Sequence, residues 1–324
     1  MAITERLIDE PGFAAETSAF LARKPPAPAG SEHQALLAAR AKAPDPAICG
    51  RPDPAVRMTD LYLPARGGPV LTRVYRALGA SGPPPPRPLL LWLHGGGFVG
   101  GSVYDLDHVC SRLARLGGVT VASLEYRLAP EHPFPAALHD TYDAMCWLDE
   151  HGPLLGGDGR LAAGGQSAGA ALVAGACLVA RDEGGPALTR QVLCYPALDF
   201  GQDTESVRLF NGVFLTIQPG DWVETQYLGG KEPTAYAAPL RAESLGGLPP
   251  ALSICSGRDP LRDDARSYAS RLDADGVDVR HVEYAGTMHG FLNFCGVLSA
   301  GDHAIELIAD DLRQAHAVAA VPSV

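Results

Sequence analysis

Gly165-Gln166-Ser167-Ala168-Gly169 lies between an apolar run, Leu161-Ala162-Ala163, and an Ala-rich run from Ala168 to Arg181. A G-x-S-x-G pentapeptide in that setting predicts a strand, a sharp turn and a helix. The constraint is severe, because the turn strains the backbone at the serine and only small neighbours leave room for it. It also leaves the hydroxyl at a helix N-terminus, where the dipole favours developing negative charge. An ordinary Gly-rich turn is the competing reading of the pentapeptide alone, so the rest of the chain must decide.

From Thr59 onward the chain reads as strands and then as alternating strands and helices. Leu61-Tyr62-Leu63-Pro64 and Val70 to Tyr75 flank Arg66-Gly67-Gly68, a predicted hairpin. Further strands are predicted at Leu89–Leu93, Val119–Leu124, Arg160–Ala163, Arg190–Tyr195, Ala251–Cys255 and Val277–Tyr284. Helices are predicted at Tyr104–Leu116, Pro135–His151, Ser167–Arg181, Asp263–Ala274 and Ser299–Ala315. The strands are near-continuous apolar runs, as expected when both faces of a parallel sheet are covered. The alternation predicts an α/β fold with a mostly parallel central sheet flanked by helices.

Two segments stand outside that pattern. Residues 1–55 read as amphipathic helices, Ile3–Leu21 and Glu32–Lys42, parted by Lys24-Pro25-Pro26-Ala27-Pro28. Residues 203–240 carry aromatics but no strand that fits the sheet. Together they are expected to cap the carboxyl edge of a catalytic domain formed by 56–202 and 241–324. Gly82 to Pro88 reads as a stiff connector.

The 324 residues suffice for one large α/β domain, and the net charge of −11 argues against a nucleic-acid backbone or an anionic membrane as partner. Met1 to Phe20 carries acids and no apolar core, which predicts no secretory signal. No run approaches the ~18 apolar residues of a membrane span. The seven cysteines are scattered without a C-x-x-C pair. They read as buried free thiols in a reducing cytoplasm, not as disulfides or a metal site.

Serine needs a base, and the base needs an orienting carboxylate. His94-Gly95-Gly96-Gly97 follows the strand Leu89–Leu93, and its unhindered backbone N–H groups suit an oxyanion. Gly95 and Gly96 are the expected donors, with Gly97 adjoining and Ala168 adding another. The same glycines also match G-x-G-x-x-G, with Glu125 as a ribose-binding acid. That nucleotide-binding reading fails to explain the serine turn, and the helical pattern starts too late, near Tyr104. His289, beyond the last strand, is the expected base. His281 falls within the strand pattern and is expected to face solvent. Asp259, after the strand Ala251–Cys255, is the expected acid. Asp263 and Asp264 read as helix caps. The order Ser167, Asp259, His289 is that of α/β-hydrolases.

The chain resembles the hormone-sensitive-lipase-like family of α/β-hydrolases over about residues 55 to 315. The resemblance rests on Leu93 to Phe98, Tyr126 to Ala137, Gly165 to Gly169, Asp259 to Asp263 and His289-Gly290-Phe291. It implies carboxylic-ester hydrolysis, a helical cap, no cofactor and no metal, a small-molecule ester as partner, and a possible homodimer. Gln166 stands where the family usually has Asp, which puts the tethering of neighbouring loops, including Glu131, in question. Phe98, Phe214, Leu215, Trp222 and Phe291 are expected to line an apolar pocket for short to medium acyl chains. A deacetylase, amidase or acyltransferase on the same triad, or a non-catalytic binding protein on the scaffold, are the alternatives.

Overall fold

The computed structural model describes residues 4–23, 32–79, 85–200, 203–217 and 220–318. The proline break at 24–28 and part of the 82–88 connector lie outside them. The chain begins with β1 (Thr4–Ile8), α1 (Pro11–Leu21), α2 (Glu32–Arg40) and α3 (Pro46–Cys49). The hairpin β2 (Val56–Leu63) and β3 (Val70–Ala77) follows, then β4 (Arg87–Leu93), α4 (Asp107–Leu116), β5 (Thr120–Leu124) and α5 (Ala136–His151). Next come β6 (Gly157–Gln166), α6 (Ala168–Glu183), β7 (Gln191–Cys194), α7 (Glu205–Phe210) and α8 (Trp222–Leu228). The chain closes with β8 (Ala251–Arg258), α9 (Arg262–Ala274), β9 (Val279–Met288) and α10 (Ser299–Val318).

Among the described residues the strands form one nine-stranded sheet, ordered β1-β9-β8-β7-β6-β4-β5-β3-β2. The pairings β2–β3 and β3–β5 are antiparallel, and the rest are parallel. Period-two alternation sorts the side chains of β4 into two cores. Leu89, Leu91 and Leu93 join α5 and α6 on one face. Leu90 and Trp92 join α4 and α10 on the other.

The middle of the sheet is built on close approach. Every residue of α6 from Ala168 to Ala180 is buried. A Cβ on Gly165 would lie 2.7 Å from the Gly169 carbonyl carbon, and one on Gly169 would lie 2.3 Å from the His94 carbonyl oxygen. Both glycines of the pentapeptide are therefore required by packing as well as by the turn.

Four expectations need correction. The N-terminus is not helical from Ile3: Thr4–Ile8 is a strand paired in parallel with β9, and Pro11 starts the helix at its first turn. The strand predicted at Arg160–Ala163 runs to Gln166, because its small residues still pair with β4 and β7. His281 does not face solvent. It is 5% exposed, since β9 is flanked by β1 and β8 and covered by α9. Asp263 and Asp264 do not cap α9. Asp263 accepts the backbone N–H of Ser206, and Asp264 accepts those of Leu198 and Asp199, so both tether the segment after β7.

Candidate active site

Ser167 ends the turn from β6 into α6 with φ 54°, in the left-handed region. Its backbone N–H donates to Cys194 O at 2.9 Å, which fixes the turn against the end of β7. Asp259 follows β8 and His289 follows β9, so both arrive at the same carboxyl edge. His289 Nε2 lies 2.9 Å from Ser167 Oγ, and His289 Nδ1 lies 2.7 Å from Asp259 Oδ2. The other carboxylate oxygen of Asp259 accepts the Leu261 N–H at 2.9 Å, and the side chain is fully buried. Three residues from three strand ends thus form one relay, with the serine open to a cavity.

The glycine loop sits beside that serine. A Cβ on Gly95 would lie 3.3 Å from Ser167 Cβ. Gly96 has φ 122°, and its carbonyl accepts from the Val99 and Gly100 N–H groups. A Cβ there would meet the Gly100 carbonyl oxygen at 2.1 Å, so the turn requires glycine. Gly97 also has positive φ, at 61°. His94 anchors the loop: its ring stacks on Tyr126 at 4.2 Å, and its carbonyl accepts the Tyr126 hydroxyl at 2.9 Å. Burial drives its imidazole down to about 4, so it is a neutral structural residue. Glu125, the acid of the nucleotide-binding reading, instead accepts the Val103 N–H at 2.6 Å and holds the loop after the glycines.

A cavity of about 440 Å³ opens from Ser167 and His289. Phe98, Phe214 and Leu215 line it with Phe200, Val223 and Phe294. Phe291 does not: it is fully buried between Tyr195 and Tyr284, at 5.7 and 5.0 Å. Its neighbour Gly290, at φ 77°, turns the chain so that residue 291 points into the core. Trp222 packs instead with Val223 against Leu36, Val99 and Ala129. A second cavity, about 750 Å³, shares Gly95, Gly96, Asn293 and Phe294 with the first and extends under α1 and α3.

Three contributors were not found from the sequence. Asn293 borders both cavities. Tyr195 borders the first and carries a positive φ of 40°. Its position just past β7, on the edge where ligands bind, was the available signal. Arg40 of α2 bonds Val99 O and Ala129 O, each at 2.7 Å, and pairs with Glu131 at 2.8 Å. The partner of Glu131 therefore comes from the N-terminal segment.

Among the described residues, one trio brings its ligand atoms within reach of a common cation, namely Cys255, His281 and Glu283. Glu283 Oε2 already accepts two bonds from Arg266, at 2.9 and 2.7 Å, and His281 Nδ1 lies 3.1 Å from Ser253 Oγ. A guanidinium on that carboxylate opposes a second cation, so the trio reads as a neutralised core network.

In sequence and fold the chain is similar to known ester hydrolases. Residues 90–293 match the family model described as alpha/beta hydrolase fold. The carboxylic ester hydrolase LipN of Mycobacterium tuberculosis is 44% identical over 261 residues, covering 76% of this chain and 68% of LipN. The ethyl acetate hydrolase of Pseudomonas putida is 34% identical over 280 residues, covering 82% and 86%. Among solved structures, a hyperthermophilic esterase from the archaeon Pyrobaculum calidifontis superposes with a TM-score of 0.74 at 42% identity, covering 80% and 85%. A thermostable esterase from Pseudomonas putida gives 0.83 at 30% identity, covering 94% and 98%. With its mostly parallel sheet, serine turn and His-Gly-Gly-Gly loop, the chain belongs to the hormone-sensitive-lipase-like family of α/β-hydrolases.

Proposed function

We propose that the chain is a serine carboxylesterase acting on small-molecule esters of short to medium acyl length. The observation that carries the reading is the relay from Asp259 through His289 to Ser167, with bonds of 2.7 and 2.9 Å. Ser167 Oγ attacks the ester carbonyl while His289 Nε2 takes its proton. Asp259 holds the imidazole in the tautomer with Nδ1 protonated and stabilises the imidazolium. The tetrahedral oxyanion lies against the N–H groups of the Gly95–Gly97 loop and Ala168, each worth about 3 kcal/mol. His289 then gives its proton to the departing alkoxide, leaving an acyl-enzyme. Water attacks that acyl group with His289 again as base, and the carboxylic acid leaves.

The two cavities meet at the glycine loop, which suits an ester whose acyl and alcohol arms lie on either side of the oxyanion. α1, α2, α7 and α8, with the loops around them, act as the cap. Residues 214–217, Asp221, Val223 and Glu224 line the first cavity, and residues 16–23 and 42–49 contribute to the second. The aromatic wall of the first cavity favours apolar acyl groups, and the ethyl acetate hydrolase among the relatives supports a short one. The free cysteines, Cys49 to Cys295, suit a reducing cytoplasm.

The test is hydrolysis of p-nitrophenyl esters from acetate to palmitate by wild type and Ser167→Ala. Turnover that peaks at short or medium chains and falls by orders of magnitude in the variant is expected. Near-wild-type turnover by Ser167→Ala would refute the assignment.

A further inference from the structure

Among the described residues, three non-glycine residues have positive φ: Phe98, Ser167 and Tyr195, and all three border the first cavity. The strain at Ser167 is explained by the turn. That at Tyr195 needs its own reason, because an aromatic residue does not adopt φ 40° without compensation. Tyr195 is 1% exposed, and its hydroxyl donates to Gln166 Oε1 at 2.7 Å. The Tyr195 ring also packs against Phe291 at 5.7 Å. Gln166 immediately precedes Ser167, and Phe291 stands two residues after His289. The edge of the Tyr195 ring meets the His289 ring at 5.0 Å and 64°. One side chain therefore links the strand end that holds the nucleophile, through its hydroxyl, to the base and its turn, through its ring.

The Gln166 side chain carries a second cost. It is fully buried, and its Nε2 has no hydrogen-bond partner. A buried amide with an orphaned donor persists where its acceptor is needed. Here the acceptor takes the Tyr195 proton.

We propose that Tyr195 is a positioning residue for the reaction, and that its bond to Gln166 sets the approach of His289 Nε2 to Ser167 Oγ. The proposal rests on the esterase reading of that pair. Without the hydroxyl, the ring still packs on His289 and Phe291, but it loses its tie to Gln166. The Ser167–His289 approach of 2.9 Å then becomes one of several. Misplacement by an ångström costs up to about a hundredfold in rate, and a partial loosening costs about tenfold.

The test is a double-mutant cycle with Tyr195→Phe and Gln166→Met. Each single variant is expected to lower kcat about tenfold with KM unchanged, and the double variant to be no worse than either. Gln166→Met removes the orphaned donor, so its melting temperature is expected to hold or rise while kcat falls. A residue that served only folding would move stability and rate together. The rate at which a fluorophosphonate labels Ser167 is read alongside, since it needs the nucleophile and base but no ester. Wild type that labels, beside variants that label and turn over at its rate, would overturn the proposal. Additive losses in the double variant would overturn it as well. Wild type that fails to label would instead overturn the esterase reading beneath it.

Discussion

Replacing Arg40 by Ala tests how the N-terminal segment is held over the site. α2 is attached by two features on one face. Leu36 is 8% exposed and packs on Val99 and Ala129, and Arg40 binds the carbonyls of those same two residues. Val99 lies two residues past the glycine loop, so α2 touches the oxyanion side of the site through one short connection. Arg40 sits in the last turn of α2, where a cation also meets the negative end of the helix dipole. The two guanidinium-to-carbonyl bonds, at 2.7 Å and partly buried, are each worth about 1.5 kcal/mol. The Arg40–Glu131 pair adds little, no more than about 1 kcal/mol, because Glu131 is half exposed and solvent screens it. The sum is about 3 to 4 kcal/mol, concentrated on a helix of nine residues.

That energy resists local opening more than global unfolding. Hydrogen exchange is therefore the assay. Amide protection in α2 is expected to fall by about a hundredfold or more in Arg40→Ala, while protection in β4 and β6 holds. KM should rise as residues 42–49, which follow α2 and contribute to the second cavity, loosen with it. The pH dependence has a definite sign. Arg40 holds the Glu131 carboxyl below its usual 4.5, so the ion-pair part is present above that value and is lost as pH falls through the lowered one. Glu131→Gln should thus loosen α2 only slightly at pH 7. Unchanged α2 protection in Arg40→Ala would refute the reasoning.

Asp259→Asn keeps the shape of the side chain but turns the imidazole to the wrong tautomer. Turnover of p-nitrophenyl acetate should drop by about ten-thousandfold with the fold intact, and a loss under tenfold would remove Asp259 from the relay. Gly96→Ala places a Cβ 2.1 Å from a backbone oxygen, so the glycine loop must rearrange. kcat is expected to fall by about a hundredfold or more, read by steady-state kinetics on protein that still melts cooperatively. Asp264 is buried, and desolvation pushes its carboxyl up to about 7 although it accepts two backbone N–H groups. The folded state holds that proton more tightly than the unfolded chain, so its contribution falls as pH rises from about 4 to about 7. Asp264→Asn should therefore gain stability relative to wild type across that range in chemical denaturation, and an equal or smaller difference at pH 7 than at pH 4 would contradict this.

The local signals in this chain are strong, for physical reasons. Apolar runs such as Leu89–Leu93 can only be strands covered on both sides. The small residues around Ser167 admit a turn that larger ones would block. The residues after three strands, Ser167, Asp259 and His289, were legible because a parallel sheet delivers every strand end to one edge. What the sequence left open depends on partners far away along the chain. Thr4–Ile8 is a strand because β9 offers an unpaired edge, and nothing within residues 1–10 announces that neighbour. His281 alternates as an exposed residue would, yet β1 and α9 cover it. Phe291 follows the base but is turned into the core by Gly290, so it packs rather than lining the cavity. The substitution of Gln166 for an acid could be seen in the sequence, but its bond to Tyr195 spans 29 residues and exists only because β6 and β7 are neighbours. Periodicity and turn chemistry are properties of a few consecutive residues, and the sequence by itself determined what they govern. Burial, side-chain direction and the partner of each polar group are set by which strand lies beside which, and only the tertiary structure decided them.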